Sequence, residues 1–240
     1  MADASRPGCA DVLIVGGGMV GAALAAALGQ AGFQVAVIEA HEPAPAPPDG
    51  ASFDTRVSAI SRASQHIFEH LGAWAAMRAE RATPYQRMRV WEDEDSEGVR
   101  FDAADVGEPD LGHIIENSVI QRALWARLSA LPEVARYCPA ALAGIEVTAD
   151  GVTARLEDGR VLQAGVLIGA DGGRSRVREL AGIALHTRDY QQQAVVGTVR
   201  AARGHGATAW QRFLPSGPLA LLPLGEDHFS IVWSTAPAHA

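Results

Sequence analysis

The sequence predicts an α/β fold: a Rossmann-like domain with an inserted β-meander, together with an antiparallel-sheet domain. Three observations carry this prediction. An uncharged apolar run, Val12–Val15, leads into glycines and then into the alanine-rich, helix-favouring stretch Ala22–Ala31. Asp150-Gly151 and Asp158-Gly159 separate short alternating runs, as hairpin turns do. After Gly182 come only apolar runs divided by Gly and Pro turns, which predicts a sheet without helices.

The stretch from Asp11 to Glu39 has a strand, a glycine turn, a helix and a second strand in register. Gly16, Gly18 and Gly21 fit the pattern G-x-G-x-x-G, and the second strand closes on Glu39 about 20 residues later. The first glycine of such a unit makes the tight turn, the second lets a pyrophosphate approach, and the third lets helix and strand pack. The helix N-terminus attracts phosphate, and the acid can bind a ribose. The stretch therefore predicts a dinucleotide site.

A membrane anchor is the alternative interpretation, because Val12–Gly32 contains no charge and is long enough to span a bilayer. Six glycines in this span, the lack of a basic segment before it and Glu39 directly behind it argue against an anchor.

Composition narrows the function classes. The 240 residues are 48% hydrophobic and 20% charged, as in ordinary globular proteins, and the net charge is −8. An acidic chain is not expected to bind nucleic acid, and its charge gives no help in docking on an anionic membrane. Cys9 and Cys138 are too few and too far apart to indicate a disulfide framework or a metal site. We expect no metal and a reducing, cytoplasmic setting.

Three more polar residues are candidates for the site. Arg56 follows the second strand and could reach a phosphate or a cofactor ring, although a surface ion pair with Asp54 explains it equally well. Asn117 opens a helix at which a cofactor could be touched, and plain capping explains it nearly as well. Asp171 comes just after the strand Val161–Ile168, at the edge where open parallel sheets bind ligands.

These patterns divide the chain into two discontinuous domains. Residues 1–84 and 112–185 form the predicted dinucleotide-binding domain. Residues 85–111 and 186–240 form the predicted substrate-binding β-sheet domain, because the strands near Arg87–Trp91 interrupt the first domain and suggest an excursion into another sheet.

Three stretches together resemble the class A flavoprotein monooxygenases of the para-hydroxybenzoate hydroxylase type: GGGMVG with Glu39, DTRVSAIS with Arg56, and GADGGRSRVR with Asp171. Within that class, VIEAHEPAP, FDTRVSAISRAS, IIENSVIQRALW and WQRFLPSGPLALLPL with FSIVWST resemble the ubiquinone-biosynthesis hydroxylases, and among them those that add the last ring hydroxyl to a benzoquinol. The resemblance covers residues 11–236.

The resemblance implies FAD as cofactor and NAD(P)H as co-substrate. Gly16, Gly18 and Gly21 would hold the pyrophosphate, Glu39 the adenosine ribose, and Asn117 the ribityl or phosphate part. Arg56 and Asp171 would contact the cofactor as well. It further implies hydroxylation of a polyprenylated quinol with O2, and peripheral contact with the inner face of a membrane or with partner enzymes. No catalytic residue is assigned, since the cofactor carries the chemistry.

Four apolar residues are candidates for the wall that faces the quinol ring and its tail: Phe213, Leu219, Leu221 and Pro223. An ordinary sheet core explains them at least as well.

The family pattern also includes a later GDAAH-type motif, and nothing in residues 182–240 matches it. We therefore expect a C-terminally truncated chain, and the alternative function is an inactive remnant that binds FAD or ADP. A disulfide-type FAD reductase is a weaker alternative, because no C-x-x-C or C-x₄-C pair is present.

Overall fold

The computed structural model describes residues 9–48, 53–92 and 97–240. Its strands are β1 (Cys9–Val15), β2 (Val35–Ile38), β3 (Val57–Ser61), β4 (Thr83–Tyr85), β5 (Arg87–Trp91), β6 (Val99–Asp102), β7 (Gly112–Glu116), β8 (Val134–Tyr137), β9 (Leu142–Thr148), β10 (Gly151–Leu156), β11 (Val161–Gly169), β12 (Gln193–Arg200), β13 (Thr208–Leu214), β14 (Gly217–Leu224) and β15 (His228–Thr235). Its α-helices are α1 (Met19–Gln30), α2 (Arg62–His70), α3 (Trp74–Arg81), α4 (Asn117–Ser129) and α5 (Arg176–Leu180), and short 3₁₀ turns lie at Ala103–Val106 and Pro237–His239.

The chain forms two compact units. The first contains the segment ending at Ala46, His70–Ala73 and Gln121–His186; the second contains Pro47–Glu69, Trp74–Ile120 and Thr187–Ala240. This division differs from the sequence-based domains, because β3 and β4 both pair with β7 in a small sheet that joins the second unit. The assignment of cofactor and substrate binding to separate domains stays a prediction.

The first unit is built on a six-stranded sheet in the order β8-β2-β1-β11-β10-β9. Strands β8, β2, β1 and β11 are parallel, and β10 and β9 extend the sheet as an antiparallel meander. The central strands are buried on both faces, which explains their continuous apolar sequences. Their side chains form one core with the meander through Leu13, Ile38, Ala154 and Leu162. The α/β prediction with an inserted meander is confirmed.

The second unit contains a six-stranded sheet in the order β12-β15-β14-β13-β5-β6 and a three-stranded sheet in the order β3-β7-β4. Tyr85, Ile114, Ala209 and Leu224 form its buried apolar cluster. The predicted antiparallel sheet is present, with one parallel pair, because β13 runs alongside β5 in the same direction.

Among the described residues, no helix is long and apolar enough to cross a membrane. The uncharged Val12–Gly32 span instead folds as the end of β1, a turn and the 12-residue α1.

Candidate cofactor site

The turn between β1 and α1 depends on glycine at its first position. Gly16 has φ +105°, and its N–H donates a hydrogen bond of 2.8 Å to the carbonyl of Ile38. A Cβ at Gly16 would overlap the carbonyl group of Ala170, where the chain leaves β11. Any side chain here would force β1 and β11 apart or strain the turn.

Gly21 allows α1 to lie close to that turn. A Cβ at Gly21 would overlap the carbonyl oxygen of Gly16 and lie 3.1 Å from Cβ of Ala170. The predicted role of this glycine in close helix packing thus has a direct steric basis.

Gly18 differs from both, because its missing side chain faces open space. No atom lies within 4 Å of a Cβ built there, and its backbone is extended, with φ −68°. As the N-cap of α1 it supplies no side-chain acceptor, and the first turn carries no acid. The amides that begin the helix are therefore available to a ligand, and a phosphate is the group that they favour.

A cavity of about 570 Å³ adjoins this turn. It lies at the carboxyl ends of β1, β2 and β11, the edge at which the parallel strands were expected to bind a ligand. Its lining includes the predicted site residues Gly16, Gly18, Glu39 and Asp171 and the two arginines Arg174 and Arg176. The structure thus brings together the predicted residues of the first unit around one space, with Gly21 packed behind it.

The Glu39 carboxylate is fixed at the cavity wall by backbone donors. One oxygen accepts a hydrogen bond of 2.6 Å from the Gly17 N–H, and the other accepts one of 2.9 Å from the His41 N–H. The carboxylate links the end of β2 to the glycine turn and still lines the cavity.

The Asp171 carboxylate accepts hydrogen bonds from residues that follow it closely in the chain. It accepts hydrogen bonds from the Ser175 hydroxyl at 2.5 Å and from the N–H groups of Arg176 and Val177 at 2.6 and 3.0 Å. Burial alone would raise the pKa of Asp171, but these donors outweigh burial and hold the pKa below its usual value of 3.8. Asp171 is therefore anionic at neutral pH and organises the loop that carries Arg174 and Arg176 along the cavity.

Two contacts to the glycine turn were missed by sequence reasoning. The indole Nε1–H of Trp125 donates a hydrogen bond of 2.7 Å to the Gly17 carbonyl, and the Gln121 amide donates one of 3.2 Å to the same oxygen. The sequence predicts only that Trp125 belongs to the apolar, buried side of α4. The available signal was weak: a buried indole N–H needs an acceptor, but nothing in the sequence says which one.

The second unit holds the other two predicted cofactor contacts, Arg56 and Asn117. The Asn117 N–H donates a hydrogen bond of 2.9 Å to the Arg56 carbonyl, and the Ser58 hydroxyl donates one of 2.7 Å to the Asn117 side-chain oxygen. Asp54 accepts from the backbone N–H of Arg56 at 3.2 Å. Within the described residues the exposed Arg56 guanidinium forms no ion pair with Asp54, and its contact with a cofactor stays a prediction.

The four residues predicted to line a substrate wall lie on β13 and β14. Directly opposite residues of an antiparallel pair share a face, and Phe213 is opposite Pro218, whereas Leu219 is opposite Arg212. Leu219, Leu221 and Pro223 therefore share one face, and Phe213, which is 46% exposed, lies on the other. Contact of either group with a substrate stays a prediction.

A buried polar cluster also lies in the second unit. His113 on β7 is 7% exposed, packs edge-on against the Trp74 ring, and has Nδ1 3.7 Å from a carboxylate oxygen of Asp110, which also faces Arg62 at 3.7 Å. Burial lowers the pKa of His113; Asp110 opposes this, and Arg78 and Arg62 add to it. His113 is therefore neutral near pH 7.

Comparisons with known proteins agree with this geometry. Residues 9–239 match the model of the family described as FAD binding domain. The chain is 44% identical over 228 residues to the 3-demethoxyubiquinol 3-hydroxylase of Escherichia coli, and the match covers 95% of this chain and 58% of that protein. It is 39% identical to the ubiquinone hydroxylase UbiL of Rhodospirillum rubrum, over 94% of this chain and 52% of that one. The chain thus spans little more than half the length of these curated relatives.

Solved structures share the fold at lower identity. PqsL of Pseudomonas aeruginosa, described as a probable FAD-dependent monooxygenase, superimposes with a TM-score of 0.80 at 24% identity, covering 96% of this chain and 62% of that one. HpxO of Klebsiella pneumoniae, solved with FAD and uric acid, gives a TM-score of 0.72 at 20% identity, covering 95% and 57%.

Proposed function

This chain belongs to the FAD binding domain family, and from that premise we propose that it acts as an FAD-dependent monooxygenase. Its proposed reaction is hydroxylation of a polyprenylated benzoquinol in ubiquinone biosynthesis, with NAD(P)H and O2. The substrate class is taken from the resemblance and from the names of the relatives, which are ubiquinone-biosynthesis hydroxylases.

The observation that supports FAD binding is the cavity at the glycine turn. A Cβ built at Gly18 has no atom within 4 Å. The backbone amides at the start of α1 have no side-chain cap. Arg174 and Arg176 also line the cavity, with the Arg176 guanidinium paired to Glu179 at 2.8 Å, and the Glu39 carboxylate lies on the β2 side. A pyrophosphate needs the amides and the cations, and a ribose needs an acceptor. The residues present therefore fit the ADP half of FAD.

Each residue has a proposed task in this site. Gly18 and the first turn of α1 would bind the pyrophosphate, Glu39 would accept hydrogen bonds from the adenosine ribose, and Asp171 would hold its loop against the cofactor. Bound FAD would supply the redox chemistry that links NAD(P)H to dioxygen. The chain contributes binding, orientation and a cavity from which water is displaced.

Arg56 and Asn117 are proposed as further contacts with FAD, on the resemblance alone. The apolar residues Leu219, Leu221 and Pro223, which share one face of their sheet, are proposed to meet the quinol. Phe213 was expected in the same wall, but it lies on the opposite face and is left out of this proposal. Because the proposed polyprenylated substrate is apolar, we further propose that the protein contacts a membrane peripherally or contacts partner enzymes, in the cytoplasm or at the inner membrane face. Flotation of the purified protein with anionic and neutral vesicles tests that contact.

The function is tested by loading the purified chain with FAD and following NAD(P)H oxidation with a demethoxyquinol analogue. We expect flavin absorbance to co-purify with the protein and oxidation to rise on adding the quinol, with hydroxylated product found by mass spectrometry. For glycine-to-alanine changes in the turn between β1 and α1, Gly144→Ala is the matched control, because a Cβ there meets no atom within 4 Å and Gly144 does not line the cavity. A chain that takes up no FAD would contradict the proposal.

A second candidate is a chain that binds FAD or ADP without turnover. The observation that favours it is coverage, since the match extends over only 58% of the Escherichia coli relative. The same experiment separates the two candidates: bound FAD without quinol-dependent oxidation or hydroxylated product supports the second.

A further inference from the structure

Gly17 occupies a position that the dinucleotide pattern leaves open. In G-x-G-x-x-G the residue between the first two glycines is unrestricted, yet this chain has glycine there. A Cβ at Gly17 would lie 2.5 Å from Cζ2 of Trp125 and 3.0 Å from Cβ of Glu39. The indole and the acid therefore occupy the space that a side chain would need.

Both backbone polar groups of Gly17 are held by side chains. Its N–H donates to Glu39 at 2.6 Å, and its carbonyl accepts from Trp125 at 2.7 Å and from Gln121 at 3.2 Å. The indole is 8% exposed, so its hydrogen bond is shielded from water. A buried bond of this kind is costly to lose, because water cannot take the place of the indole donor and only the longer Gln121 bond would remain on the carbonyl.

The Trp125 bond fixes the plane of the peptide between Gly17 and Gly18. In a trans peptide the carbonyl and the following N–H point in opposite directions. Because the Gly17 carbonyl points at the indole, the Gly18 N–H points away from it. Gly18 lines the cavity and Trp125 does not. The two donors thus turn a carbonyl away from the ligand and present an amide to it.

We propose that Trp125 and Gln121 are positioning residues for the phosphate-binding turn, which act through Gly17 to aim the Gly18 N–H at the pyrophosphate of FAD. This inference rests on the proposed function, since it takes FAD as the ligand of the cavity. Without the two donors the peptide could rotate, and its carbonyl oxygen would then repel the phosphate that the amide attracts.

The test removes the indole N–H and keeps the ring shape, by replacing Trp125 with β-(3-benzothienyl)alanine through an expanded genetic code. The dissociation constants of FAD and ADP are measured by calorimetry, and that of adenosine by NMR titration. We expect FAD and ADP to bind about tenfold more weakly, the effect of losing one buried hydrogen bond, and adenosine to bind as in the unmodified chain. Adenosine lacks phosphate, so its affinity separates aiming of the amide from general loss of structure.

Two variants support this test. Gln121→Leu removes the longer hydrogen bond and is expected to weaken FAD and ADP by about threefold. The same isostere at Trp74, a buried tryptophan of the second unit, is the matched control and is expected to leave FAD affinity unchanged. Unchanged FAD affinity in the Trp125 isostere, or an equal loss for adenosine, would overturn the proposal.

Amide hydrogen exchange in the ligand-free protein tests the positioning role without bound FAD, and therefore independently of the proposed function. We expect exchange and the ¹⁵N shift of Gly18 to change in the Trp125 isostere, whereas amides of β9 stay as they were. If the unmodified chain binds no FAD, the proposed function fails. If, in addition, the Trp125 isostere leaves the Gly18 signal unchanged, the positioning role is refuted as well.

Discussion

Gly21 of α1 lies directly against the carbonyl oxygen of Gly16, so that the helix rests on the turn it follows without a side chain between them. The contact ties the third glycine of the pattern to the stability of the fold, whereas Gly18, three residues earlier, faces open space. The same residue type thus has two distinct roles within six positions, which mutations can separate.

Gly21→Ala is expected to destabilise the protein. Its methyl group would overlap the Gly16 carbonyl oxygen, and the backbone must move to relieve the overlap, which costs about 1–3 kcal/mol. Urea unfolding followed by circular dichroism measures this loss. Gly144→Ala is the control and should change the free energy of unfolding by less than about 0.5 kcal/mol; equal effects of the two would contradict the steric argument.

Gly18→Ala is expected to weaken FAD binding and to lower stability by no more than about 1 kcal/mol, the cost of an alanine at an N-cap. A methyl group there meets no protein atom but enters the space assigned to the pyrophosphate. We expect the dissociation constant of FAD to rise by about tenfold or more, measured by calorimetry. Loss of stability as large as that of Gly21→Ala, with FAD affinity retained, would show that the space is not the phosphate site.

Glu39→Gln should weaken FAD binding by a smaller factor. The single amide oxygen of Gln can accept from the Gly17 N–H or from the His41 N–H but not from both, and charge-assisted hydrogen bonds are roughly twice as strong as neutral ones. We expect FAD and adenosine to bind about fivefold more weakly, since Glu39 is assigned to the ribose that both contain. Glu146→Gln, an exposed acid on β9, is the matched control for the change in charge. Loss of ADP affinity without loss of adenosine affinity would contradict the assignment.

Stability should fall as the pH is lowered below about 6.5, because of His113. Its pKa is lowered in the folded state, chiefly by burial, so the unfolded chain takes up a proton at a higher pH than the native one. The native state is therefore increasingly disfavoured as the pH falls from 6.5 to the lowered pKa of His113. Below that pKa this contribution levels off.

His113→Asn is expected to flatten that part of the profile, and urea unfolding at a series of pH values between 7.5 and 5 measures it. His66→Asn, a change at an exposed position on α2, provides the comparison. An unaltered slope in the His113 variant would assign the pH dependence to other groups.

Much of the candidate site could be predicted because its pattern is local. Gly16, Gly18 and Gly21 are set by the geometry of one turn, and Glu39 by the length of one helix and one strand. The roles of Gly17 and Trp125 could not be predicted, since that contact joins residues far apart in the chain and uses a position at which the pattern demands nothing.

In the six-stranded sheet of the second unit, the strand pattern predicts which residues of one strand share a face but not how neighbouring strands pair. Alternation along β14 correctly groups Leu219 with Leu221 and Pro223, because alternate residues of a strand share a face. The face of Phe213 depends on register, which is set by its pairing with Pro218 across the turn to β14. The strand pattern alone does not contain that pairing, nor the pairings of β7 that carry β3 and β4 into the second unit.

The pairing of β1 with β11 has a consequence for the order of events during synthesis. Cys9 pairs with Gln163 and Val15 with Gly169, so one wall of the cavity is made near the start of the chain and the other only much later. A nascent chain that has exposed the whole glycine pattern still lacks Asp171 and its loop. The cavity therefore cannot close until β11 has been synthesised, and until then the apolar β1 has no partner strand on that side, the kind of exposed edge that favours aggregation.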